Sequence, residues 1–558
     1  MSLSDAQLLF VPLGGVGEIG MNLALYGLKE GNKTSWLMVD CGVTFGEGAG
    51  LPGIDVLMAD TRFIEERKRQ LTAIVLTHGH EDHIGALLDL WPRLGCDIYC
   101  TPFTAGLLIA KAEEERGAPD LPLKVIAAGG RVKIAGFDVE FLPVAHSIPE
   151  SHALAIRTKA GNVIHTGDWK IDQTPPLGER TEIERFEAVA RDGVDVLIGD
   201  STNAVRQGRS PSEADVGKVL ETLVREAPAR VAVTLFASNI GRIDQIARAG
   251  LAARRSIVVI GRALERNIRV ARGLGYLADL PPFQGMDAFG YLPRENCLAL
   301  MTGSQGEERS ALARVARGEH PHVALSKGDR VIFSSRTIPG NERGVGALQN
   351  GLVNQGVELI TDRTHMVHVS GHPRTDEMRE LYAAIKPKTV VPVHGEALHL
   401  GEHARLAREW GYESFDRARN GLMLNLAPGP VAIIDKVPSG RLLKDGQLLI
   451  SESDSPVVAE RRRLAFSGVV SIAIAMSSKG EMMGDPEIAL TGVPEAGLSD
   501  EDMEDVVAEA AVEAVTRLPK SRRKDAAAVE DAIARAVRSA VNEEWGKKPV
   551  CHVLVVVV

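Results

Sequence analysis

Through residues 7–205 short apolar runs alternate with glycine-rich polar breaks. Leu8–Leu13, Ser35–Val39, Ala73–Leu76, Val163–His165 and Val194–Ile198 each end where a polar residue or a glycine begins. This pattern predicts buried strands whose ends deliver polar groups to a crevice, the usual way an α/β sheet builds a site. Between 213 and 350, helical periodicity (Asp215 to Arg225, Arg242 to Arg254) alternates with strands at Arg230–Leu235 and Ser256–Ile260. A second α/β unit with its own parallel sheet is predicted there. From about 356 the earlier style returns through Val357–Ile360, Val367–Ser370 and Thr389–Val393, so the second unit reads as an insertion into the first domain. The stretch Val437-Pro-Ser-Gly-Arg441 reads as the start of a connector. A final unit holds strands at Val469–Met476 and Pro486–Thr491, helices at 500–518 and 525–545, and a last strand, Cys551–Val558. That last run is β-branched and apolar, which predicts a covered strand. The expected domains are 1–208 with 352–435, an insertion at 209–351, a linker at 436–462 and a C-terminal α/β domain at 463–558.

Length agrees with this division, because 558 residues are too many for one core. Hydrophobic residues at 44% and charged residues at 25% are ordinary for a soluble globular chain. Aromatic content is only 4%, so nucleic-acid binding would rest on phosphate contacts more than on base stacking. A net charge of −10 argues against a protein that coats nucleic acid, but not against an enzyme that focuses positive potential in one cleft. Five scattered cysteines fit a reducing compartment, with Cys96 and Cys100 read as buried thiols rather than half a zinc site. The first residues show no leader pattern, and no run of apolar residues is long enough to span a bilayer. A cytoplasmic protein without membrane contact is expected.

The chemistry is concentrated after the strand at Leu71–Leu76, in Thr77-His78-Gly79-His80-Glu81-Asp82-His83. Three histidines and an aspartate in six residues are hard to explain as packing, whereas imidazole nitrogens and carboxylate oxygens are the preferred ligands of zinc and manganese. Gly79 is expected to turn the loop tightly, and Ile84–Leu88 to start a helix behind the cluster. His146 and Asp168 follow two later strands and supply what a binuclear site still lacks, including one carboxylate with two oxygens to bridge. His165 is the competing ligand, read instead as supporting or core.

These residues resemble the motifs of the metallo-β-lactamase superfamily. Gly199-Asp200-Ser201-Thr202, His368-Val-Ser-Gly-His372 and Val391-Pro-Val-His394-Gly395-Glu396 narrow the resemblance to the β-CASP nucleases and, within them, to the bacterial ribonuclease J family. Supporting stretches are Leu13-Gly-Gly-Val-Gly-Glu-Ile-Gly-Met-Asn22, Phe236-Ala-Ser-Asn-Ile240, Gly261-Arg262 and Thr302-Gly-Ser-Gln-Gly-Glu307. The resemblance implies an αββα sandwich interrupted by a β-CASP domain and followed by a small α+β domain. It implies two zinc ions per subunit, with manganese or magnesium as alternatives in activity. One would be held by His78, His80 and His146, the other by Asp82, His83 and His394, with Asp168 bridging. Asp200 and His372 would move protons, with Asp82 as a further catalytic group. Ala237, Ser238 and Asn239, together with His368, Val369, Ser370, Gly371 and His372, would bind substrate phosphate. His394 favours RNA over DNA, since DNA-cutting members often carry valine there. A structural calcium near Leu51 and Gly53, with Asp445, is also implied.

The activity so implied is 5′-to-3′ exonucleolysis favouring 5′-monophosphate RNA, with endonucleolysis besides, in RNA maturation and decay. Homodimers or homotetramers and an RNA-degradation complex are implied as assemblies. A small-molecule hydrolase of the same fold, a DNA nuclease and a non-catalytic RNA-binding subunit are the competing readings.

Overall fold

The structure, a computed structural model, describes residues 6–46 and 50–558. Residues 1–5, where no leader is expected, and 47–49 lie outside the described residues. The chain forms two compact units, the larger running to Ser453 and the smaller comprising Asp454–Val558 with the short stretch ending at Ile54.

The larger unit is built on two sheets laid face to face. One has eight strands and is centred on Ala6–Gly14, Leu23–Glu30, Lys33–Val39 and Leu71–Val75. The other has seven, including Phe137–Pro143, His152–Arg157, Asn162–His165, Val196–Asp200 and Thr389–Val393. Phe10, Tyr26, Leu37 and Val75 from the first sheet meet Phe137, Phe141, Ile156 and Ile198 from the second in one buried core. Helices cover the outer faces: Leu87–Leu94 and Pro102–Glu114 on one side, Ile183–Ala190, Thr375–Ile385 and Ala397–Glu409 on the other. Strands buried on both faces gain from apolar residues at every position, which is why their sequences read as continuous runs rather than alternations.

Between Asp200 and Thr375 the chain leaves this sandwich and builds a five-stranded, all-parallel sheet in the order Ser256–Ile260, Cys297–Met301, Val231–Thr234, Arg330–Phe333, Glu358–Ile360. The sheet therefore takes its edge strand from beyond 351. Glu358–Ile360, expected to open the returning part of the first domain, instead pairs with Arg330–Ile332 as the insertion's edge. Val367–Ser370, expected as a strand, is irregular backbone.

The expected linker at 436–462 is also corrected. Arg441–Asp445 and Leu448–Ser451 form a hairpin that adds to Val56–Ala59 and Val43–Phe45 in a four-stranded sheet, and Val457–Ser467 is a helix. Its polar, glycine-containing sequence reflects turns at the ends of short strands rather than a free connector.

In the smaller unit Val469–Met476 runs between Glu487–Thr491 and Val550–Val557. Helices Met503–Arg517 and Ala526–Trp545 cover one face, through Val507, Ala511, Val529, Ile533 and Val537. The last strand, expected to be covered, lies at the sheet edge. Its inward side chains Cys551, Val553 and Val555 pack on the core, while Leu554 and Val556 point away and are exposed. A period-2 strand with helices on one face buries only every second side chain. None of the described helices is long and apolar enough to cross a membrane.

Candidate metal centre

Five strand ends converge. The loop after Leu71–Val75 carries His78, His80, Asp82 and His83; those after Phe137–Pro143 and Asn162–His165 carry His146 and Asp168. Val196–Asp200 ends on Asp200, and Thr389–Val393 leads into His394. Asp200 and His394 become neighbours because Val196–Asp200 and Thr389–Val393 pair in parallel, with Asp200 opposite Val393.

Three groups of ligand-type atoms result, each with all its members within 4.8 Å of one another: His78, His80, His146 and Asp168; Asp82, His83, Asp168 and His394; and Asp168, Asp200, His372 and His394. Asp168 belongs to all three. In the first group His78 Nε2 lies 3.0 Å and His146 Nε2 lies 3.1 Å from His80 Nδ1. In the second, His83 Nε2 is 3.3 Å and His394 Nδ1 is 2.8 Å from Asp168 oxygens.

Supporting bonds aim these nitrogens. His83 Nδ1 donates to Asp40 Oδ2 at 2.7 Å and His146 Nδ1 donates to the Gly371 carbonyl at 2.8 Å, so each ring turns Nε2 toward the site. A histidine whose other nitrogen is held by a carboxylate or carbonyl is the usual arrangement around a bound metal. Neither nitrogen of His394 is in hydrogen-bonding geometry, although the residue is buried. Buried polar atoms left this way require a partner, and a divalent ion suits a set made of imidazoles and carboxylates. The residues fit the group that the resemblance implies.

Burial pushes the His78 and His146 imidazoles well below their ordinary range and His80 down to about 4. All three therefore present unprotonated lone pairs, the form a metal binds. In the second group burial pulls the same way, but the carboxylates outweigh it. Asp168, Asp82 and Asp40 raise His83, and Asp168, Asp82 and Asp200 carry His394 up to about 10. Asp168 itself is held well below the carboxylate range, against its burial, by His394, His83 and His372.

Backbone conformation matters as well. Asp40 and His394 both take left-handed backbone, with φ of 61° and 51°. Such residues cost of the order of 1–3 kcal/mol each and persist where the surroundings over-determine them. The His394 N–H donates to Gly15 O at 2.6 Å and the Thr77 N–H to Asp40 Oδ1 at 2.8 Å, two of the contacts that hold them. Gly79, expected to turn the loop tightly, does not take left-handed backbone. A Cβ there would lie 2.7 Å from the end of the Leu107 side chain, which would have to give way. The helix expected at Ile84 begins earlier, at Glu81, so Asp82 and His83 sit in its first turn.

His372 Nδ1 lies 2.8 Å from Asp200 Oδ2, and its Nε2 lies 3.9 Å from Asp168. Burial lowers His372, but Asp200 and Asp168 together raise it above its ordinary value. Ser370 Oγ accepts from Asn203 Nδ2 at 2.9 Å and from the His372 N–H at 3.3 Å. Asn239 caps its helix by accepting the Arg242 N–H, and His368 is largely buried with no hydrogen-bond partner on Nδ1. Ala237 packs against the core and Val369 is part of it. His165 is buried with Nδ1 2.9 Å from Tyr26 Oη and joins none of the ligand groups. Among the described residues Asp445 is likewise in no such group; Leu51 and Gly53 lie in the smaller unit and Asp445 in the larger.

Asp40, Asn203 and the Gly371 carbonyl are supporting groups that sequence reading missed. Asp40 had a signal, since it ends the apolar run Ser35–Val39 as the ligands end theirs. Gly371 was placed only on the phosphate surface, and nothing near it pointed to His146, which lies 225 residues away.

Residues 26–227 match the metallo-beta-lactamase superfamily, 228–352 the ribonuclease J beta-CASP domain, 356–415 the Zn-dependent metallo-hydrolase RNA specificity domain, and 456–558 the ribonuclease J C-terminal domain. The chain is 48% identical over 551 residues to ribonuclease J of Sinorhizobium meliloti, covering 99% of this chain and 97% of that protein. It is 36% identical over 554 residues to ribonuclease J of Mycolicibacterium smegmatis, covering 98% and 97%. In fold it resembles the crystal structure of a protein of unknown function from Enterococcus faecalis V583, with a TM-score of 0.51 at 16% identity over 75% of this chain and 100% of that one. Matched over nearly its whole length to proteins that carry the same name, the chain belongs to the ribonuclease J family of metal-dependent nucleases.

Proposed function

We propose that this chain hydrolyses RNA phosphodiester bonds with two divalent ions, degrading 5′-monophosphate RNA from its 5′ end and also cutting internally. The observation that carries the reading is the convergence of two ligand groups on one shared carboxylate, Asp168, beside the His372–Asp200 pair. His78, His80 and His146 would hold one ion, Asp82, His83 and His394 the other, and Asp168 both. Such ions, when bound, supply Lewis acidity toward water and the phosphoryl oxygens.

The remaining chemistry belongs to the chain. His372 donates Nδ1–H to Asp200, which leaves Nε2 facing the site. A proton held at Nε2 would serve the departing ribose oxygen, the role of a general acid. Asp82 orients the attacking water. The terminal phosphate would be met by small donors. Ser370 already accepts two hydrogen bonds, so its hydroxyl proton remains to be donated. With Oδ1 of Asn239 engaged at the helix cap, its amide N–H2 is the group offered. Ser238, His368 and the Gly371 amide complete that surface.

The test uses 5′-labelled and 3′-labelled RNA with mono- or triphosphate ends, alongside matched single-stranded DNA and a His80→Ala control. Monophosphate RNA should be degraded fastest. Equal rates on both ends would sink the terminal-phosphate surface, and equal rates on DNA would sink the preference for RNA.

A further inference from the structure

The proton-handling pair is backed by a second buried chain of polar groups. His403, on the helix Ala397–Glu409, is fully buried and uses both ring nitrogens. Nδ1 lies 2.8 Å from Ser201 Oγ, and Nε2 is hydrogen-bonded to Tyr382 Oη, from the helix Thr375–Ile385. Tyr382 and Ser201 are buried as well. Burial holds His403 neutral, so one nitrogen donates and the other accepts. Hydrogen-bond accounting selects the tautomer. If Tyr382 donates O–H to Nε2, then Nδ1–H donates to Ser201 Oγ, and Ser201 donates its own proton to the Gly199 carbonyl 3.4 Å away. Every donor then has an acceptor. The opposite tautomer leaves the buried Tyr382 proton with no partner, which carries a desolvation cost.

This chain grips the end of the strand that presents Asp200. Gly199 and Ser201 flank Asp200, and a Cβ on Gly199 would meet Tyr382 Oη at 2.9 Å and the His403 ring at 3.0 Å. Asp200 is held further by the end of the neighbouring strand and by its own turn: its N–H donates to Thr166 Oγ1 at 3.1 Å, and its Oδ1 accepts the Thr202 N–H at 2.9 Å. Only Oδ2 is then directed at His372 Nδ1.

We propose that His403, with Tyr382 behind it and Ser201 in front, is a positioning residue that aims the Asp200 carboxylate and thereby the proton on His372. The inference rests on the reading of His372 and Asp200 as the proton-transfer pair. His403 touches neither substrate nor the ligand groups, so its effect falls on the leaving group's need for a proton and not on binding.

The experiment uses the full-length, metal-loaded protein and two substrates: a 5′-monophosphate RNA oligomer and bis(p-nitrophenyl) phosphate, whose leaving group departs without a proton. His403→Leu should lower kcat on RNA by about 10- to 100-fold, part of the roughly 100- to 10,000-fold that positioned proton transfer contributes. KM, metal content and the rate on the activated diester should stay at wild-type values. His403→Asn keeps an N–H near the Nδ1 position and should recover part of the loss. An equal loss on both substrates, or none on either, overturns the proposal. If His403→Leu does not fold, Tyr382→Phe decides the matter on the same two substrates: a loss confined to RNA supports the proposal and any other pattern overturns it. His372→Ala separates the two levels. Should it slow both substrates alike, the proton-transfer reading itself fails. Should it spare the activated diester while His403→Leu does not, only the role of His403 fails.

Discussion

The strands Thr389–Val393 and Val550–Val557 are alike in composition, both rich in valine and without Asp, Glu, Lys or Arg. The first lies inside the seven-stranded sheet, between Val196–Asp200 and Glu413–Ser414, and its Val390 and Val391 are wholly buried. The second edges a three-stranded sheet, where Leu554 is 60% exposed. Composition made both of them strands, but neighbours decided burial. Neighbours also decided chemistry. The residue that follows the first strand, His394, meets Asp82, Asp168 and Asp200 from other strand ends. Among the described residues no comparable group forms in the smaller unit. A polar residue at the end of a strand becomes a site only where adjacent ends bring it partners.

The sharpest way to break this comparison is to remove the residue on which the partners converge. Asp168→Ala should abolish RNA hydrolysis and lower the bound metal per chain in elemental analysis; a fully loaded, active variant would refute the convergence. Burial is compared next. Ile198→Ala, in the core between the two large sheets, should cost about 2–5 kcal/mol in urea unfolding, while Leu554→Ala on the exposed edge should stay within about 0.5 kcal/mol. Similar losses at both would mean that the edge strand is covered in solution.

Support of the ligands comes third. Asp40→Asn removes the charge that orients His83 without removing a ligand, and should reduce metal affinity or activity by about 10- to 100-fold. Unchanged zinc affinity in a chelator competition would place Asp40 outside the site's energetics. The last comparison concerns pH. Burial lowers His152 to about 4 against an ordinary 6.5, so the unfolded chain takes up a proton that the folded one refuses. Stability tied to this residue is therefore complete above 6.5 and is lost as pH falls from there toward about 4. His152→Gln should flatten that decline in urea midpoints, and an unaltered slope would rule the residue out as its source.

Much of the site could be read from the chain. His78 to His83 lie within one loop, and a dense local cluster of ligand types has few structural explanations. Asp168, Asp200, His372 and His394 followed from the family's motifs in order. The supporting groups were hidden for a physical reason. Asp40, Asn203, Gly371 and His403 are ordinary residues until a partner arrives, and those partners lie 43, 167, 225 and 202 residues away.

What the sequence determined by itself was the kind of each element and the chemistry of each ligand. Apolar runs bury themselves wherever they are, and an imidazole brings its lone pairs to any fold. Only the tertiary structure decided where the inserted sheet takes its edge strand, that residues 441–451 form a hairpin instead of a linker, and that the last strand keeps an open side. It alone decided which nitrogen of each histidine faces the centre. Those outcomes depend on distances between parts of the chain remote in sequence, and such distances exist only once the sheets have packed.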